Sequence, residues 1–319
     1  MAAMSEPVRL ALYGANGHQV HGLLPSQPLA RLVATAAFPR ASLPEPLRDD
    51  PTVRHHDGLD ALLADPQVEL VALCSPRRCD QAADALRCLR AGKHVYAEKP
   101  CALRESDLDA LLGEAAMRGL IFREMAGTAF QAPYRAMHAA IATGSIGEVI
   151  QVFAQTSYPW HDGRPDGEDL DGGLFLQVGI HAARLVEHVT GRRIVEASGQ
   201  RSAHGCPRPG ALAMVSTVQF RLGNGALGVL LSNYANQPGL GSWGNYQLRV
   251  WGTRGMIESV DDGTRTRLVV AETDHGALPA GPPAVDWLAG VCSLIRGGTG
   301  LPIDVETEVH PLRALLRAR

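Results

Sequence analysis

Two pairs of polar residues stand where they could do acid–base chemistry. Glu98 and Lys99 follow the short run His94 to Ala97, and Gln177 and His181 are four residues apart. Side chains at positions i and i+4 of a helix point from one face, so one helix could present Gln177 and His181 to the same ligand. A lysine or a histidine can take up the hydroxyl proton when an alcohol is oxidised by loss of hydride, and can return it in the reverse direction. Residue type alone favours a surface ion pair and a structural histidine.

A parallel sheet is the element that would position Glu98 and Lys99. Apolar residues recur at helical spacing before them and predict a helix that Gly92 ends in the left-handed conformation. These apolar residues are Ala82, Ala85, Leu86 and Leu89. His94 to Ala97 is then a predicted strand, whose pairing ends at Pro100 because proline lacks an amide hydrogen. Open parallel sheets bind ligands at the carboxyl ends of their strands, which is where Glu98 and Lys99 would lie.

A second ligand-binding element is predicted after the first strand. Val8 to Tyr13 is an apolar strand that leads into GANGHQ, Gly14 to Gln19. We expect this turn to receive the pyrophosphate of a dinucleotide, with the amides of a following helix as donors. The second glycine of G-x-G-x-x-G is replaced by Asn16, which tolerates the left-handed conformation better than most residues, and Gly17 adds freedom one step later. As an isolated motif, the segment is equally consistent with a plain strand–turn–helix.

Periodicity divides the rest of the chain into an alternating first part and a strand-rich second part. Ser106 and Asp109 are spaced as a capping pair for a helix that Gly119 ends, and the strand-like runs after Ile150 are separated by turns typical of an antiparallel sheet. The further expected strands are Leu32 to Ala37, Val68 to Cys74, Leu120 to Met125, Ile150 to Thr156, Val215 to Arg221, Ala226 to Ser232 and Tyr246 to Trp251. The further expected helices are Leu59 to Leu63, Pro133 to Thr143, Asp286 to Arg296 and Glu306 to Arg317.

Several runs resemble one family. AGKHVYAEKP, Ala91 to Pro100, is similar to the AGKHVxxEKP of the glucose-fructose oxidoreductase, inositol dehydrogenase and rhizopine-catabolism family (Gfo/Idh/MocA). LLADPQVELVALCSP, GSIGEV and DGGLFLQVGIH resemble the family's LLADPxVDxVxIxTP, GxIGEV and GGGxxxDxGxH, so the resemblance covers almost the whole chain. It implies an α/β Rossmann-type dinucleotide-binding domain over residues 1–126. It also implies an α+β domain with a large, mostly antiparallel sheet over 127–319, for substrate binding and oligomerisation, whose last helices could pack back on the first domain.

The resemblance implies roles for particular residues. In the family, the Lys of EKP and the Asp and His of GGGxxxDxGxH surround the substrate carbon that gives or takes hydride, and these positions are Lys99, Gln177 and His181 here. Gln177 lacks the charge that would fix the histidine tautomer and stabilise its cation. Ser75 and Pro76 would shape the loop along the dinucleotide. The expected cofactor contacts are Gly14, Asn16, Gly17, His18, Arg40, Ser75, Pro76, Glu98 and Lys99.

The residues after the second predicted strand favour NADP slightly over NAD. The family usually ends this strand with an acid that binds the ribose 2'-hydroxyl, but Ala37 stands there. Without that acid a 2'-phosphate is not repelled, and Arg40 is close enough in sequence to pair with one. A solvated Arg40 is an equally good interpretation.

The resemblance implies an NAD(P)-dependent dehydrogenase or reductase that acts on a CH–OH group of a sugar, a cyclitol or a similar small polar substrate. Trp160 and His161 are the expected substrate contacts, in a loop from Tyr158 to Asp171 that reads as too polar and broken for a core. Two alternatives remain because several positions depart from the family pattern: redox-assisted elimination or glycoside cleavage with a bound cofactor, and a non-catalytic dinucleotide-binding sensor. The departures are Asn16, Arg77, Asp80, Gln177 and Arg184.

Composition predicts a globular, cytoplasmic protein of two domains. The 319 residues carry a net charge of -3, which gives no basic excess for a nucleic acid, and no apolar run is long enough for a membrane span. The six cysteines form no C-x-x-C pair and no metal-binding spacing with histidine, so we expect reduced thiols and no metal site. We also expect a homodimer or homotetramer formed through the sheet of the second domain.

Overall fold

The computed structural model describes residues 6–125, 127–208, 210 and 212–319. They form two compact units. The first comprises the described residues up to 125 together with Asp169–Asp171 and Asp286–Glu308, and the second comprises the described residues of Gly127–Glu168, Gly172–Val285 and Val309–Arg319. The expected domain boundary at Ala126 lies outside the described residues.

The first unit is built on a six-stranded parallel sheet in the order β3-β2-β1-β4-β5-β6. The strands are β1 (Val8–Tyr13), β2 (Ala30–Ala36), β3 (Arg54–His56), β4 (Leu70–Leu73), β5 (His94–Ala97) and β6 (Phe122–Glu124). All residues of β4 are buried, as expected for a strand covered on both faces. The chain leaves β1 toward β2 and β3 and returns on the other side at β4, so the strand order reverses beside β1. The Rossmann-type prediction is confirmed.

Helices connect these strands. They are α1 (Glu45–Arg48), α2 (Leu59–Ala64), α3 (Gln81–Arg90) and α4 (Glu105–Arg118), with short 3-10 turns at Leu24–Ser26, Arg40–Ser42 and Arg78–Asp80. Gly92 and Gly119 have φ of +75° and +64°, so both predicted left-handed stops are confirmed. The predicted Ser106 cap is wrong. Helix α4 begins after Arg104, and Ser106 therefore lies inside the first turn, where it cannot act as the N-cap.

The helix expected after β1 is absent. Within residues 14–29, all of which the structure describes, the only helical segment is the 3-10 turn Leu24–Ser26. The first residues of this segment form the turn, and Gly22, Pro25 and Pro28 follow before β2 begins at Ala30. Prolines remove amide donors and glycine disfavours helix, so too few residues remain for a stable α-helix.

The second unit is built on an eight-stranded sheet in the order β14-β13-β12-β11-β7-β10-β9-β8. Only β7 and β10 are parallel among its described pairs, which confirms the mostly antiparallel prediction. The strands are β7 (Val149–Ser157), β8 (Ile194–Ser202), β9 (Val215–Leu222), β10 (Leu227–Asn233), β11 (Asn245–Gly252), β12 (Gly255–Val260), β13 (Arg265–Val270) and β14 (Thr273–Gly276). Buried and exposed residues alternate strictly along β9, as in a sheet with one covered face.

The helices of the second half are α5 (Ala132–Ala142), α6 (Glu168–Asp171), α7 (Gly179–Arg184), α8 (Trp287–Ile295) and α9 (Val305–Ala318). Short 3-10 turns lie at Gly127–Phe130 and Pro238–Leu240. Helix α7 continues without a break from the π-helical segment Leu174–Val178 and into another at Leu185–Val189. No helix in the described part of the chain has both the length and the apolarity needed to cross a membrane.

The loop from Tyr158 to Asp171 is not wholly solvated, so that expectation was wrong in part. Tyr158 and Arg164 are buried. The Tyr158 ring packs in a core cluster with Leu174 and Tyr234, and the Arg164 guanidinium lies 4.0 Å from the centroid of the Tyr234 ring. A cation over an aromatic face can be buried at lower cost than an unpaired charge, which is why a polar loop contributes to this core.

Candidate active site

The turn after β1 lies against the carboxyl ends of β4 and β5. Gly14 has φ of +72°, and a Cβ there would overlap the carbonyl oxygen of Cys74. Gly17 has φ of +106°, and a Cβ there would lie 2.6 Å from Oε1 of Glu98. Both glycines are therefore required by conformation and by close approach.

Asn16 fixes this turn through its side chain. Its Nδ2 donates to the carbonyl oxygens of Pro76 at 3.2 Å and Leu170 at 2.5 Å, and its amide donates to the Cys74 carbonyl at 3.3 Å. Asn16 does not take the left-handed conformation that its residue type would tolerate, because Gly14 and Gly17 supply it. The asparagine at the second glycine position thus links the turn to the loop after β4.

Glu98 is a buried carboxylate beneath this turn. The His18 ring donates from Nδ1 to its Oε1 at 2.9 Å, and the Gln81 side chain donates to its carbonyl oxygen. Burial by itself raises the pKa of the Glu98 carboxyl, but the positive charges of His18, Lys99 and Arg78 outweigh burial, and the pKa lies below its ordinary value. Glu98 therefore stays ionised at neutral pH.

Lys99 and Ser75 are buried at the same edge of the first unit. Lys99 directly follows Glu98 and is 1% exposed. The Ser75 hydroxyl donates to Oδ2 of Asp84 at 2.8 Å, and its amide donates to Oε1 of Gln81 at 3.1 Å. The structure thus brings the predicted residues of the turn, the loop after β4 and the end of β5 together.

Arg40 lies apart from this cluster, in the turn after β2. Its side chain is exposed, and its Nε and Nη2 donate to the Arg48 carbonyl at 3.1 and 2.8 Å. Ala37 has φ of +49° immediately after β2 and carries no acid. The exposed guanidinium of Arg40 could contact a 2'-phosphate. Alanine at position 37 means that no carboxylate there would repel such a phosphate.

His181 is packed among aromatic side chains of the second unit. Its side chain is 3% exposed, and its Nδ1 is 3.1 Å from the Thr128 hydroxyl. The rings of Tyr246 and Tyr158 have centroids 5.5 and 6.0 Å from the His181 ring, and their hydroxyls are 3.1 Å apart. These contacts fix the orientation of the imidazole.

Gln177 is half-buried in the π-helical segment that precedes α7. The helix predicted to carry Gln177 and His181 is present, but its first turn is closed by i to i+5 hydrogen bonds rather than by α-helical ones. Single π-helical turns within α-helices occur often at functional sites.

The two predicted substrate residues contact the aromatic side chains of the same unit. The rings of His161 and Trp243 are 5.7 Å apart, and Trp243 is 6.2 Å from Tyr158. Trp160 packs at the edge of the Tyr158 core cluster, with the Arg208 guanidinium 5.2 Å from its ring. Burial first, and then the charge of Arg164, lower the pKa of His161.

Sequence reasoning missed several residues of both units. Thr128, Tyr158 and Tyr246 contact His181 or each other but come from elements far apart in sequence, so no local pattern marks them. Arg78 and Gln81 were available as polar residues at the start of a predicted helix, where solvent exposure is the ordinary expectation. Among the described residues, no cluster of His, Cys, Asp and Glu is arranged to hold a metal ion.

A parallel sheet with reversed strand order and a glycine-dependent turn at its edge defines a dinucleotide-binding α/β protein. Residues 8–125 match the model of an oxidoreductase family with an NAD-binding Rossmann fold, and residues 134–258 match the GFO/IDH/MocA C-terminal domain. The chain belongs to the Gfo/Idh/MocA family.

Curated relatives carry several activities. The chain is 35% identical over 140 residues to a dTDP-3,4-didehydro-2,6-dideoxy-alpha-D-glucose 3-reductase from Streptomyces violaceoruber. This match covers 43% of this chain and 41% of that protein. It is 27% identical over 220 residues to a myo-inositol 2-dehydrogenase from Thermotoga maritima, covering 67% and 63%. It is 27% identical over 255 residues to a trans-1,2-dihydrobenzene-1,2-diol dehydrogenase from Bos taurus, covering 80% and 73%. The match therefore spans less than two thirds of the first two relatives.

Solved structures share the fold over nearly the whole chain. An aldose-aldose oxidoreductase from Caulobacter crescentus superposes with a TM-score of 0.78 at 20% identity, covering 98% of this chain and 97% of that chain. An oxidoreductase domain protein from Kribbella flavida superposes with a TM-score of 0.76 at 21% identity, covering 98% and 96%. At this identity the likeness shows the fold alone.

The residues at the edge of the first unit fit a dinucleotide. The strand order reverses beside β1, and the turn after β1 lies at the carboxyl ends of the strands, where dinucleotides bind in this class of fold. Gly14, Asn16, Gly17 and His18 would face the diphosphate, although the helix expected to supply further amides is absent.

Proposed function

We propose that the chain is an NAD(P)-dependent oxidoreductase that transfers hydride to or from a hydroxyl-bearing carbon of a sugar, a cyclitol or a similar small polar substrate. The observation that carries this proposal is the buried Lys99, the second residue after β5, at the carboxyl edge of a sheet whose first turn depends on glycine. That edge is where a dinucleotide binds in this class of fold.

Lys99 and His181 are the proposed acid–base residues. The bound nicotinamide supplies or accepts the hydride, while a side chain takes the hydroxyl proton in oxidation and returns it in reduction. The Thr128 hydroxyl and the two tyrosine rings hold the imidazole of His181 in place. Gln177 is the proposed substrate-orienting residue, since an amide can donate and accept hydrogen bonds but cannot hold a negative charge.

The aromatic side chains of the second unit support a small ring-shaped polar substrate. Trp160, His161 and Trp243 offer flat surfaces, and the hydroxyls of Tyr158 and Tyr246 offer hydrogen bonds. Binding pockets for small molecules combine apolar or aromatic walls with a few placed polar groups in this way. The relatives named for inositol, a deoxyglucose and a dihydrodiol all act on ring compounds by their names, which agrees with this class.

For the cofactor we favour NADP over NAD. Ala37 removes the carboxylate that would repel a 2'-phosphate, and the exposed Arg40 guanidinium is a suitable partner for one. The contact of Arg40 with the Arg48 carbonyl holds its side chain in one orientation.

The proposed assembly is a homodimer or homotetramer formed through the face of the eight-stranded sheet that carries Phe153, Leu227 and Trp251. The proposed compartment is the cytoplasm. Apolar side chains remain partly exposed on that face, and none of the six cysteines is disulfide-bonded.

The test is a fluorescence titration with NADH and NADPH, followed by turnover assays with sugars, polyols and cyclic diols. We expect both dinucleotides to bind and at least one substrate class to be oxidised or reduced. Failure of both dinucleotides to bind would contradict the proposed cofactor. Binding without turnover across the panel would contradict the enzymatic activity and support a dinucleotide-binding sensor.

A further inference from the structure

A buried arginine lies behind the turn that follows β1. Arg78 is 2% exposed and begins the 3-10 turn after β4. Its Nη2 donates to the Asn16 carbonyl at 2.7 Å, and its Nη1 donates to Oε1 of Gln81 at 2.6 Å. Its Nε is also buried and has no hydrogen-bond partner among the residues that the structure describes.

The charge of Arg78 is not neutralised by direct contact. Within the described ranges, no carboxylate forms an ion pair with its guanidinium. The charge of Arg78 helps to lower the pKa of the nearby Glu98, but the direct partner of that carboxylate is His18. A buried cation is costly unless an anion or several hydrogen bonds compensate it, and here only two donors of the guanidinium have partners. Such an arrangement is expected where a ligand supplies the negative charge.

The missing helix explains why the turn needs this charge. A dinucleotide diphosphate usually lies at a helix N-terminus, where free amides and the helix dipole stabilise it. No α-helix follows β1 in residues 14–29, so that contribution is lost. The guanidinium of Arg78 instead donates a hydrogen bond to the carbonyl oxygen of Asn16, and so places a full positive charge beside the middle of the turn.

We propose that Arg78 binds the diphosphate of the dinucleotide and replaces the helix N-terminus that this chain lacks. A guanidinium suits the task because its planar donors match phosphate oxygens and it stays charged at every working pH. The inference rests on the proposed function only in taking a dinucleotide as the ligand.

The experiment measures binding of NADH by fluorescence, with ADP-ribose, inorganic pyrophosphate and adenosine as competitors. Arg78→Gln should weaken NADH and ADP-ribose by about 10- to 100-fold, the range expected for loss of a charge-assisted hydrogen bond. Adenosine, which has no phosphate, should compete equally well with both proteins, and pyrophosphate should compete only with the wild type. Arg78→Lys should be intermediate, and its NADH affinity should depend on salt more steeply than that of Arg78→Gln.

Arg104→Gln is the matched control, since it removes the same charge from an exposed arginine that pairs with Asp107. It should bind NADH like the wild type. If Arg78→Gln retains wild-type NADH affinity, the inference is wrong. If Arg78→Gln and Arg78→Lys both lose adenosine and NADH together and melt at a lower temperature, Arg78 merely supports the turn, which also overturns the proposal. Failure of the wild type to bind any dinucleotide would instead refute the proposed function, and this inference with it.

Discussion

Lys99 carries the proton transfer in the proposed reaction. Lys99→Ala should lower turnover by about 10² to 10⁴ while the dinucleotide affinity changes little, because general acid–base catalysis contributes a factor of that size. Turnover and NADH binding measured on the same preparation would separate the two effects.

Lys93 provides the control for this change, since Lys93 and Lys99 are the only lysines in the chain and both are buried. Lys93 donates to the carbonyl oxygens of Asp65 and Val68, each at 2.9 Å, so Lys93→Ala should lower the melting temperature without a selective loss of turnover. A Lys99→Ala variant that loses NADH affinity or stability before turnover would show a structural lysine.

Gln177 tests whether the proposed partner of His181 shares its site. A carboxylate beside an imidazole favours the protonated ring, so Gln177→Asp should raise the pKa of His181. A base with a raised pKa loses its proton only at higher pH, and the acidic limb of kcat/KM for oxidation should move up by about one pH unit. Gln177→Asn, which stays neutral, should leave the limb in place. Identical pH profiles for the Asp and Asn variants would show that the two side chains do not interact.

Arg40 tests the preference for NADP. Arg40→Ala should weaken NADPH by about tenfold, the value of one charge-assisted contact with a phosphate, and leave NADH unchanged. Arg48→Ala is the control, because it removes a nearby arginine side chain and keeps the carbonyl that Arg40 contacts. An unchanged ratio of NADPH to NADH affinity in Arg40→Ala would remove the basis for preferring NADP.

At the scale of elements, the turn after β1 depends on its packing against β4. Gly92 and Gly14 have nearly the same φ, +75° and +72°, but a Cβ at Gly92 meets no atom within 4 Å. Gly92→Ala should therefore cost only the left-handed strain, about 1–2 kcal/mol of unfolding free energy. Gly14→Ala should cost more, since its Cβ would also overlap the Cys74 carbonyl. Urea unfolding of the two variants measures the difference, and equal costs would show that the turn can move away from β4.

At the scale of the whole molecule, one face of the eight-stranded sheet carries exposed apolar side chains that could form an interface between subunits. The register places Gln151 opposite both Leu227 and Trp251, and Phe153 opposite Val229, so these partly exposed side chains share one face of β7, β10 and β11. The patch is largely apolar, although Gln151 belongs to it and Arg249 lies opposite Phe153. An exposed patch with several large apolar side chains is typical of an interface.

Leu227→Asp should therefore convert the proposed oligomer to monomer, because burying an unpaired carboxylate in an apolar interface is costly. Met117→Asp is the control, since Met117 is an exposed apolar residue of α4 in the other unit. Light scattering after size-exclusion chromatography measures both variants. A wild type that is monomeric, or a Leu227→Asp variant that keeps the wild-type mass, would contradict this interface.

The sequence by itself determined those structural elements that depend only on residues close together in the chain. It predicted β1 and β5 at their observed bounds and the stops at Gly92 and Gly119, because short runs bounded by glycine or proline, and left-handed caps, can be recognised from neighbouring residues. The predicted strands Val68 to Cys74 and Leu120 to Met125 are longer than the observed β4 and β6, since apolar runs do not mark where pairing ends. The positions of Gly14, Glu98 and Lys99 directly after predicted parallel strands also predicted that they lie at one edge of the sheet.

Tertiary structure alone decided how charges are buried and what surrounds them. Nothing local shows that Arg78 turns inward onto the Asn16 carbonyl, that Arg164 lies over Tyr234, or that Tyr246 packs against His181. Each of these contacts joins segments that are distant in sequence. The free energy of burying a polar side chain depends on partners that exist only after folding, so a residue's type and spacing leave its environment undetermined.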